Sequence, residues 1–594
     1  MLDFTTDSKS FFEASIASSS ANLGETVGAI DLITPDSAIN NNSLGGLALS
    51  LDDGLIESID LVSSNVEALA LIPNNNAVAA NTSTRTFTDS NDQITGQPLS
   101  DIGVTRLNNT SLNSFDFNTI NSSIISDFAA SATDPNGSIA TADSAGTLTT
   151  SIARSGHIGG NESYGKDTRD YWKFSVNNDF EVNLSLTGLS ANAGLALYNS
   201  AGKLLTWSNK GSDNSESISH WLGKGDYYAL VYSEGDWGGS TSYNLGFQAG
   251  TTLSSLITDY TVYQAVSSRI GDGYIDRNDM IAILRSTKDG SVTNEEINDL
   301  RDILNDSKDF GIADYVQNLA NKVVNGNVAN QKYKGAALGN LFAGSSATHI
   351  ESLVDKWFLG GDRPVAKSSS GNTTYSYQYT SGSLFQNGIS YQDIDQGAVG
   401  DCYFVASLAG TAFRSPDTIR DMFIDNNDGT FTVRFYNGDK TDYVTVDRYL
   451  PTTAAGNAAF AGWGGGSYNE SNNELWVALA EKAYAQINES AWIGQDNTNS
   501  YQGIAYGTVQ AISHITGLDN SGYKTLGAGD FNSVVNAFNT GKIIYLSDGG
   551  HAYTLVGYNA TTQMFKVYNP YGSTEDMTWT ALDNKFVRWG HSTT

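Results

Sequence analysis

The sequence predicts a multidomain protein with a β-sandwich, a helical segment and a C-terminal α+β domain, in that order. The chain has 594 residues, which is more than one hydrophobic core usually supports. Alternating apolar runs with aromatic residues dominate residues 146–250, whereas helical periodicity dominates residues 251–345. From residue 346 to the end, a predicted buried helix is followed by late apolar strands.

The composition excludes several classes of partner. Lys and Arg number 33 against 64 Asp and Glu, which gives a net charge of −31. So acidic a chain is a poor ligand for nucleic acid or for an anionic membrane. No stretch approaches the roughly 18 apolar residues of a membrane-spanning helix, so we expect no transmembrane segment. Cys402 is the only cysteine, so it cannot form a disulfide within the chain.

Residues 1–145 are rich in Ser, Asn, Thr, Asp and Ala and poor in aromatic residues. Such a region cannot bury enough apolar surface to offset its ordering entropy, so we predict that it is largely disordered, with one or two helices in the apolar-periodic piece from Leu47 to Leu71. A pro-segment and a passive linker are both open as its role. The first residues show neither a basic n-region nor an apolar h-region, so we expect no ordinary signal peptide. Secretion or surface display by another route and a cytoplasmic location both stay open.

The predicted sandwich rests on short alternating runs spaced at roughly ten residues and separated by Gly, Asn and Ser turns. Three of them are Asp170-Tyr-Trp-Lys-Phe-Ser175, Gly194-Leu-Ala-Leu-Tyr198 and Gly225-Asp-Tyr-Tyr-Ala-Leu-Val-Tyr232. These runs resemble the strands of the bacterial pre-peptidase C-terminal domain. The resemblance implies a small jelly-roll-like module with an accessory role, such as a folding aid, a substrate tether or a removable spacer.

Two turns in the helical segment carry acidic residues at suggestive spacing. They are Gly271-Asp-Gly-Tyr-Ile-Asp-Arg-Asn-Asp279 and Lys288-Asp-Gly-Ser-Val-Thr-Asn-Glu-Glu296. Each places an acid where the second half of an EF-hand loop has its closing calcium ligand, but the opening ligand positions lack acids. The candidate calcium ligands are Asp272, Asp276, Asp279, Asp289 and Glu296. The alternative is a pair of capped helix joints without metal.

The stretch Gln396-Gly-Ala-Val-Gly-Asp-Cys-Tyr-Phe-Val-Ala-Ser-Leu408 surrounds the lone cysteine. Its glycines allow a tight path into a predicted buried helix, which places Cys402 at a helix N-terminus. Unpaired N–H groups and the helix dipole favour a thiolate there. The side-chain amide of Gln396 and the backbone N–H of Cys402 would together form an oxyanion hole. A buried, inert cysteine is the alternative.

A cysteine nucleophile requires a base, and the base requires an orienting group. Among the six histidines, His551 follows an apolar strand and a Gly-Gly pair and leads into a second strand. The next strand ends at Asn569, which can hydrogen-bond an imidazole and fix its tautomer. Cysteine on an early helix, followed by histidine and asparagine on late strands, is the papain-like order.

Four blocks of the sequence together resemble the calpain cysteine-protease core over roughly residues 380–590. They are Gln396 to Leu408, Glu474-Leu-Trp-Val-Ala-Leu-Ala-Glu-Lys-Ala-Tyr484, Gly550-His-Ala-Tyr553 and Asn569-Pro-Tyr-Gly572. The resemblance implies an α+β, two-lobed, papain-like core in residues 346–594. The first lobe, to about residue 505, would be mainly helical, and the second would carry a β-sheet. It also implies that Cys402 is the nucleophile, His551 the general base and acid, Asn569 the orienter and Gln396 an oxyanion donor, with no cofactor required for the chemistry.

Two other features of these blocks have structural interpretations. Leu475, Leu479 and Tyr484 fit an amphipathic scaffold helix, which core packing explains without catalysis. Asp401, beside the nucleophile, fits a capping or hydrogen-bonding acid.

The sequence departs from the family at two positions. Tyr403 and Tyr571 stand where the family usually has tryptophan. In animal calpains the second tryptophan is associated with the calcium-controlled closing of the cleft, so the tyrosine puts that switch in doubt. Asp393 occupies the position of a family acid that helps bind calcium, nine residues before the nucleophile. Calcium is therefore expected as an activator.

The leading hypothesis is a calcium-linked, calpain-like cysteine endopeptidase. Its partners would be protein or peptide substrates, including its own N-terminal region through self-processing, because that region offers accessible cleavage sites. A catalytically silent surface or adhesion protein, which uses the sandwich as its binding module, is the first alternative. Acyl transfer to an amine instead of water is the second.

Overall fold

The computed structural model describes residues 135–159, 161–162, 165–233, 239–507 and 510–593, together with two short strands upstream. The chain divides into two compact units, residues 1–98 and 99–594. In the first unit, β1 (Gly45–Ser50) and β2 (Ile56–Leu61) form an antiparallel pair. The prediction of helices from Leu47 onward is therefore wrong over these residues. Apolar and other residues alternate there with period two, which is typical of strands. The disorder predicted up to residue 145 is wrong for residues 135–145, which include a helical turn at Ile139–Thr141 and the start of a strand at Asp143. For the rest of residues 1–134 the prediction lies outside the described residues.

The N-terminal part of the second unit is built from two sheets. Its described strands are β3 (Asp143–Leu148), β4 (Ser151–Ile158), β5 (Asn161–Glu162), β6 (Gly165–Lys166), β7 (Arg169–Val176), β8 (Phe180–Thr187), β9 (Ala193–Asn199), β10 (Leu204–Ser208), β11 (Glu216–Leu222), β12 (Gly225–Ser233) and β13 (Thr241–Thr252). One sheet has the order β10-β9-β12-β7-β3 and the other β11-β8-β13-β4. Both contribute alternate side chains to one hydrophobic core, in which the rings of Phe174 and Phe247 lie 5.0 Å apart. Two sheets that face one core form a sandwich.

The helical segment follows the last strand of the sandwich directly. Its helices are α1 (Leu253–Leu256), α2 (Tyr260–Ser267), α3 (Arg277–Ser286), α4 (Asn294–Asn305), α5 (Asp314–Val324) and α6 (Ala347–Val354), with the short strands β14 (Lys332–Tyr333) and β15 (Ala336–Ala337) before α6. The apolar residues of these helices belong to the same hydrophobic cluster as those of the part that follows. The segment is therefore packed as part of that larger core.

The next part, up to about residue 505, combines helices with small sheets. It contains β16 (Ser376–Tyr379), α7 (Cys402–Arg414), α8 (Pro416–Arg420), β17 (Phe423–Asp425), β18 (Thr430–Asn437), β19 (Lys440–Asp447), β20 (Tyr449–Thr452) and α9 (Trp476–Ile487). All 12 residues of α9 are buried, so the helix is enclosed on every side instead of being amphipathic. This part is of mixed α and β structure and is less helical than expected.

The C-terminal part is one antiparallel sheet of order β21-β26-β22-β23-β24-β25. Its elements are α10 (Ala511–Thr516), β21 (Lys524–Thr525), α11 (Phe531–Asn539), β22 (Ile544–Ser547), β23 (Ala552–Asn559), β24 (Met564–Asn569), β25 (Ser573–Met577), α12 (Trp579–Lys585) and β26 (Arg588–His591). Within the described residues, no helix is both long and apolar enough to cross a membrane.

Helix α7 packs closely against this sheet at Gly410. A Cβ atom at that position would lie 2.5 Å from Ile543 Cγ2 and 2.8 Å from Thr554 Oγ1. Only glycine allows this approach without displacing the helix or the sheet. The close contact places the N-terminus of α7 beside the beginning of β23.

Candidate active site

Cys402 is the first residue of α7, as the sequence predicts. The carbonyl oxygen of Asp401 accepts the N–H groups of Phe404 at 2.7 Å and Val405 at 3.2 Å, which starts the helix. The backbone N–H of Ala552, the first residue of β23, is near enough to the partly buried thiol to lower its pKa. The thiol therefore lies where the helix meets the sheet.

His551 and Asn569 are hydrogen-bonded to each other. His551 immediately precedes β23, and Asn569 is the last residue of β24. These strands are antiparallel neighbours, with Thr554 opposite Tyr568, so the beginning of one lies beside the end of the other. His551 Nε2 and Asn569 Oδ1 are 2.9 Å apart. Because Asn569 occupies Nε2, Nδ1 is the ring nitrogen that can accept the proton of a thiol.

A turn held by Asp548 presents His551. Asp548 Oδ1 accepts the N–H groups of Gly550 at 2.9 Å and His551 at 2.8 Å, and Oδ2 accepts the hydroxyl of Tyr553 at 3.0 Å. Gly549 has a φ of +101°, which favours glycine. Partial burial would raise the pKa of Asp548, but these donors and His551 lower it below its ordinary value. Asp548 was not predicted from the sequence, although Asp-Gly-Gly is a turn signal.

Two tyrosine rings enclose the imidazole. The ring of Tyr571 stacks on His551 with centroids 4.8 Å apart and an interplanar angle of 2°, and Tyr553 meets it edge-on, also at 4.8 Å. Tyr571 is 57% exposed, so it forms the solvent-facing cover of the hydrogen bond to Asn569. The tyrosine at position 571 thus places a flat aromatic ring over His551.

The surroundings of Cys402 disfavour an isolated thiolate. Burial raises the pKa of the thiol, as do the nearby carboxylates of Asp401 and Asp548. The N–H groups of Ala552 and Tyr403 lower it but do not outweigh these effects. Burial therefore outweighs the stabilisation of a thiolate that the sequence predicts at the helix N-terminus. Ionisation of the Cys402 thiol then requires a proton acceptor nearby.

Gln396 lies in the loop before α7 and is 6% exposed. Its Nε2 donates to the carbonyl of Val399 at 2.8 Å and lies 3.4 Å from Asp401 Oδ1. Its backbone N–H donates to Pro570 at 2.8 Å, which ties this loop to the residue after Asn569. The side-chain amide thus bonds within its own loop, and its role as an oxyanion donor stays a prediction.

Asp393 lies beside a second carboxyl group, that of Glu474. Burial raises the pKa of Asp393, and it raises that of Glu474 to about 7 with a further contribution from the charge of Asp393. Both line a cavity of about 490 Å³, together with Asp395 and the loop of Gly464, Gly465 and Gly466. A cation between the two carboxyl groups would relieve their repulsion, and the pair would supply part of the oxygen ligand set that calcium takes. Glu474, at the start of the α9 block, was not predicted as a ligand from the sequence.

The acids of the two EF-hand-like turns cap helices. Asp276 accepts the N–H of Asp279 at 2.9 Å at the start of α3, and Asp279 in turn accepts that of Asp276. Thr293 and Glu296 form the same reciprocal arrangement at the start of α4. Asp272 and Asp289 lie in the turns before these helices. Over the described residues, no cluster of three or more Asp, Glu, His or Cys side chains is placed to hold a metal ion.

The first of these turns also contacts the sandwich. Its carbonyl oxygens accept hydrogen bonds from Gly223 N at 3.1 Å, Tyr227 OH at 3.1 Å, Asn199 Nδ2 at 2.9 Å and His220 Nε2 at 2.6 Å. The accepting residues are Ile270, Gly271, Asp272 and Gly273. These carbonyl groups are therefore occupied by the neighbouring sheet.

Two family models match the chain. Residues 376–590 match the model of the calpain family cysteine protease, and residues 168–233 match that of the bacterial pre-peptidase C-terminal domain. Both resemblances expected from the sequence are thereby confirmed. The C-terminal match identifies homology to cysteine proteases.

The chain is also similar to parts of curated proteins and to a solved structure. The calpain-type cysteine protease DEK1 of Zea mays is 32% identical over 138 residues, 23% of this chain and 6% of that protein. Calpain clp-1 of Caenorhabditis elegans is 26% identical over 231 residues, 34% of this chain and 27% of that protein. The pre-peptidase C-terminal domain of the Bacillus anthracis collagenase is 18% identical, covering 18% of this chain and 94% of that one, with a TM-score of 0.15. The chain thus spans less than a third of either curated relative.

Proposed function

We propose that this chain, whose residues 376–590 match the calpain family cysteine protease model, is a cysteine endopeptidase with Cys402, His551 and Asn569 as its triad. The observation that carries the proposal is the 2.9 Å contact between His551 Nε2 and Asn569 Oδ1, with the Cys402 thiol near Ala552, the residue after His551. This proximity supports the roles of nucleophile, base and orienter for side chains from three separate elements.

In the proposed reaction, His551 Nδ1 takes the thiol proton and the Cys402 sulfur attacks the carbonyl carbon of the scissile peptide bond. The protonated imidazole then gives that proton to the departing amine, which leaves an acyl thioester on Cys402. Water, deprotonated by His551, attacks the thioester carbonyl and releases the carboxylic acid and the free thiol. The raised pKa of the thiol makes proton transfer to His551 a necessary part of the attack.

Labelling with an epoxide thiol-protease inhibitor tests this proposal. The chain has one cysteine, so one covalent adduct, located at Cys402 by mass spectrometry, is expected. Adduct formation should fall strongly in His551→Ala, because the thiol loses its base. Equal labelling of wild type and His551→Ala would overturn the proposed pairing. A silent adhesion protein would likewise show no dependence on His551.

Calcium is proposed as an activator held by Asp393 and Glu474, since the cavity beside them brings two carboxyl groups together. The cation would supply charge compensation at the base of the first lobe and take no part in bond making. Calcium should raise the melting temperature of wild type but not that of Glu474→Gln. Asp439→Asn is the control, since Asp439 is an exposed acid that does not line this cavity. A calcium effect that persists in Glu474→Gln would contradict this placement.

Self-processing is proposed for the N-terminal region, which by sequence is rich in small polar residues. Purified wild type should lose an N-terminal fragment on incubation, whereas Cys402→Ala should stay intact. A wild-type chain that stays whole while it digests added substrate would contradict self-processing without affecting the triad.

A further inference from the structure

Two buried carboxyl groups that the proposed reaction does not use lie behind the nucleophile. Asp401 precedes Cys402 and is 0% exposed, and Glu481, in the middle of α9, is 1% exposed. Their side chains are within hydrogen-bonding reach of each other. Asp401 Oδ2 and Glu481 Oε1 nevertheless have no donor, because two ionised carboxylates offer only acceptors.

The remaining oxygens of the pair have partners. Glu481 Oε2 accepts the backbone N–H of Ala461 at 2.9 Å, and Asp401 Oδ1 faces Gln396 Nε2 at 3.4 Å. The Oε1 atom of Gln396 is also buried without a donor. Three acceptor atoms without donors thus lie in one buried group of side chains next to Cys402, which indicates a missing proton between the acids.

No cation compensates the pair within the described part of the chain. The adjacent Lys482 is fully buried as well, but its ammonium group pairs with Asp447. The ionisable groups facing the pair are otherwise the Cys402 thiol and the hydroxyl groups of Tyr377, Tyr403, Tyr484 and Tyr501. None of these carries a positive charge, so only a proton can lower the charge of the pair.

We infer that Asp401 and Glu481 share a single proton and act as a positioning pair for the nucleophile. The shared proton joins α9 to the start of α7 and so fixes the loop from Gln396 to Cys402. It also limits the charge behind the Cys402 sulfur to one negative charge instead of two. The inference builds on the proposed catalytic role of Cys402 and assigns the pair no contact with substrate.

The pKa values agree with this arrangement. Burial raises the pKa of Asp401 to about 7 and that of Glu481 well above its ordinary value, to which the charge of Asp401 contributes. An acid whose pKa is raised on folding keeps its proton in the folded state after the unfolded chain has lost it. Stability therefore falls as the pH rises from the unfolded pKa of about 4 through the folded values.

The rate of Cys402 alkylation by iodoacetamide, measured against pH, tests the inference. Alkylation requires only the thiolate, so it reports on the pair even if peptide hydrolysis is never observed. Glu481→Gln keeps the size of the side chain and supplies a permanent donor to Asp401. Once the rising pH removes the shared proton, the pair in wild type carries two negative charges behind the sulfur, whereas Glu481→Gln still carries one. The alkylation midpoint of the variant should therefore lie at lower pH than that of wild type by about half a unit or more. Glu489→Gln, which changes a buried acid paired with Lys356, should leave the midpoint in place.

Thermal unfolding measured from pH 5 to pH 9 provides the second readout. The melting temperature of wild type should fall by more across this range than that of Glu481→Gln. If Glu481→Gln does not fold, Asp401→Asn offers the same test, because asparagine donates to Glu481. Identical alkylation midpoints and identical pH dependence of melting in wild type and the folded variant would overturn the shared proton.

Discussion

At the scale of single residues, His551 is held by its neighbours before any substrate arrives. Asn569 binds Nε2, Asp548 binds the backbone N–H, and the rings of Tyr553 and Tyr571 restrict rotation of the imidazole. A base fixed in this way loses little conformational entropy when it takes a proton from the thiol. The thiol has a raised pKa, so in the proposed reaction it depends on that base.

Replacing Tyr571 tests the aromatic cover. Tyr571→Ala should lower kcat/KM about 3- to 10-fold, which corresponds to the roughly 0.5–1.5 kcal/mol of an aromatic pair. Tyr571→Trp and Tyr571→Phe should retain activity, because each keeps a flat ring over His551. Steady-state kinetics on a peptide substrate give the comparison. Equal rates for the alanine and tryptophan variants would show that the stacked ring has no role.

Asp548 provides a second test at this scale. Asp548→Ala removes the acceptor for two backbone N–H groups and should cost about 0.5–2 kcal/mol, as the loss of a helix-capping acceptor does. Asp548→Asn should keep most of the activity, because its side-chain oxygen accepts the same bonds. Unfolding in urea and peptide cleavage measure the two effects. Activity lost equally in both variants would point to the charge of Asp548 instead of its hydrogen bonds.

The sequence predicted the three residues of the proposed triad but not all the groups around them. Cys402, His551 and Asn569 stand in short motifs with recognisable spacing; the structure joins His551 to Asn569 and places Cys402 near Ala552, the residue after His551. Glu481 and Glu474 were not assigned, because their importance comes from partners far away in the sequence. Asp401 was expected as a capping or hydrogen-bonding acid; its side chain caps nothing at α7 but faces Gln396 and Glu481.

At the scale of elements, the position of the site depends on the contact between α7 and the C-terminal sheet. Gly410 lets the helix approach β22 and β23 closely enough for Cys402 to reach Ala552. No local pattern in the sequence indicates this contact, because a glycine within a helical pattern ordinarily only weakens the helix.

Gly410→Ala tests this contact. Alanine favours a helix by about 1 kcal/mol over glycine, but its methyl group would collide with Ile543 and Thr554. The variant should therefore be less stable and less active than wild type. Gly529→Ala is the control, since no atom lies within 4 Å of the position that its methyl group would occupy. A stabilised and fully active Gly410→Ala would contradict the close packing.

Helix α9 shows why the prediction of an amphipathic helix was wrong. Its apolar residues fit one face, but the charged residues of the other face are also buried. Lys482 donates to the carbonyl groups of Asp447 at 2.6 Å and Tyr449 at 2.8 Å. A sequence pattern cannot reveal that a charged face will find such partners.

At the scale of the whole molecule, the helical segment connects the sandwich to the protease part. Its first turn accepts four hydrogen bonds from the sandwich, and its helices share a hydrophobic cluster with the first lobe. The order of the parts was readable from changes in periodicity. The continuity of the hydrophobic core between the parts could not be predicted, because it arises from contacts between segments that are distant in the sequence.

His220 makes this connection sensitive to pH. It is 0% exposed and bonds to Gly273 O at 2.6 Å. Burial lowers its pKa, only partly opposed by that carbonyl, so the folded protein holds the ring neutral. The unfolded chain binds a proton as the pH falls through about 6.5, and stability is lost below that pH.

His220→Gln should reduce this loss, because glutamine can donate to the same carbonyl without titrating. The melting temperature between pH 7.5 and pH 5 should fall less in the variant than in wild type. Other histidines titrate in both proteins, so the difference between the two curves is the quantity to compare. Parallel curves would show that His220 does not control the stability of this interface.

Hydrolysis of an unfolded protein substrate by wild type and by Cys402→Ala, prepared and assayed side by side, tests whether Cys402 is the nucleophile. Wild type should cleave the substrate, and the variant should lose at least about 10³-fold of that rate, as expected when a catalytic nucleophile is removed. Cleavage at the same rate by both proteins would contradict this role of Cys402.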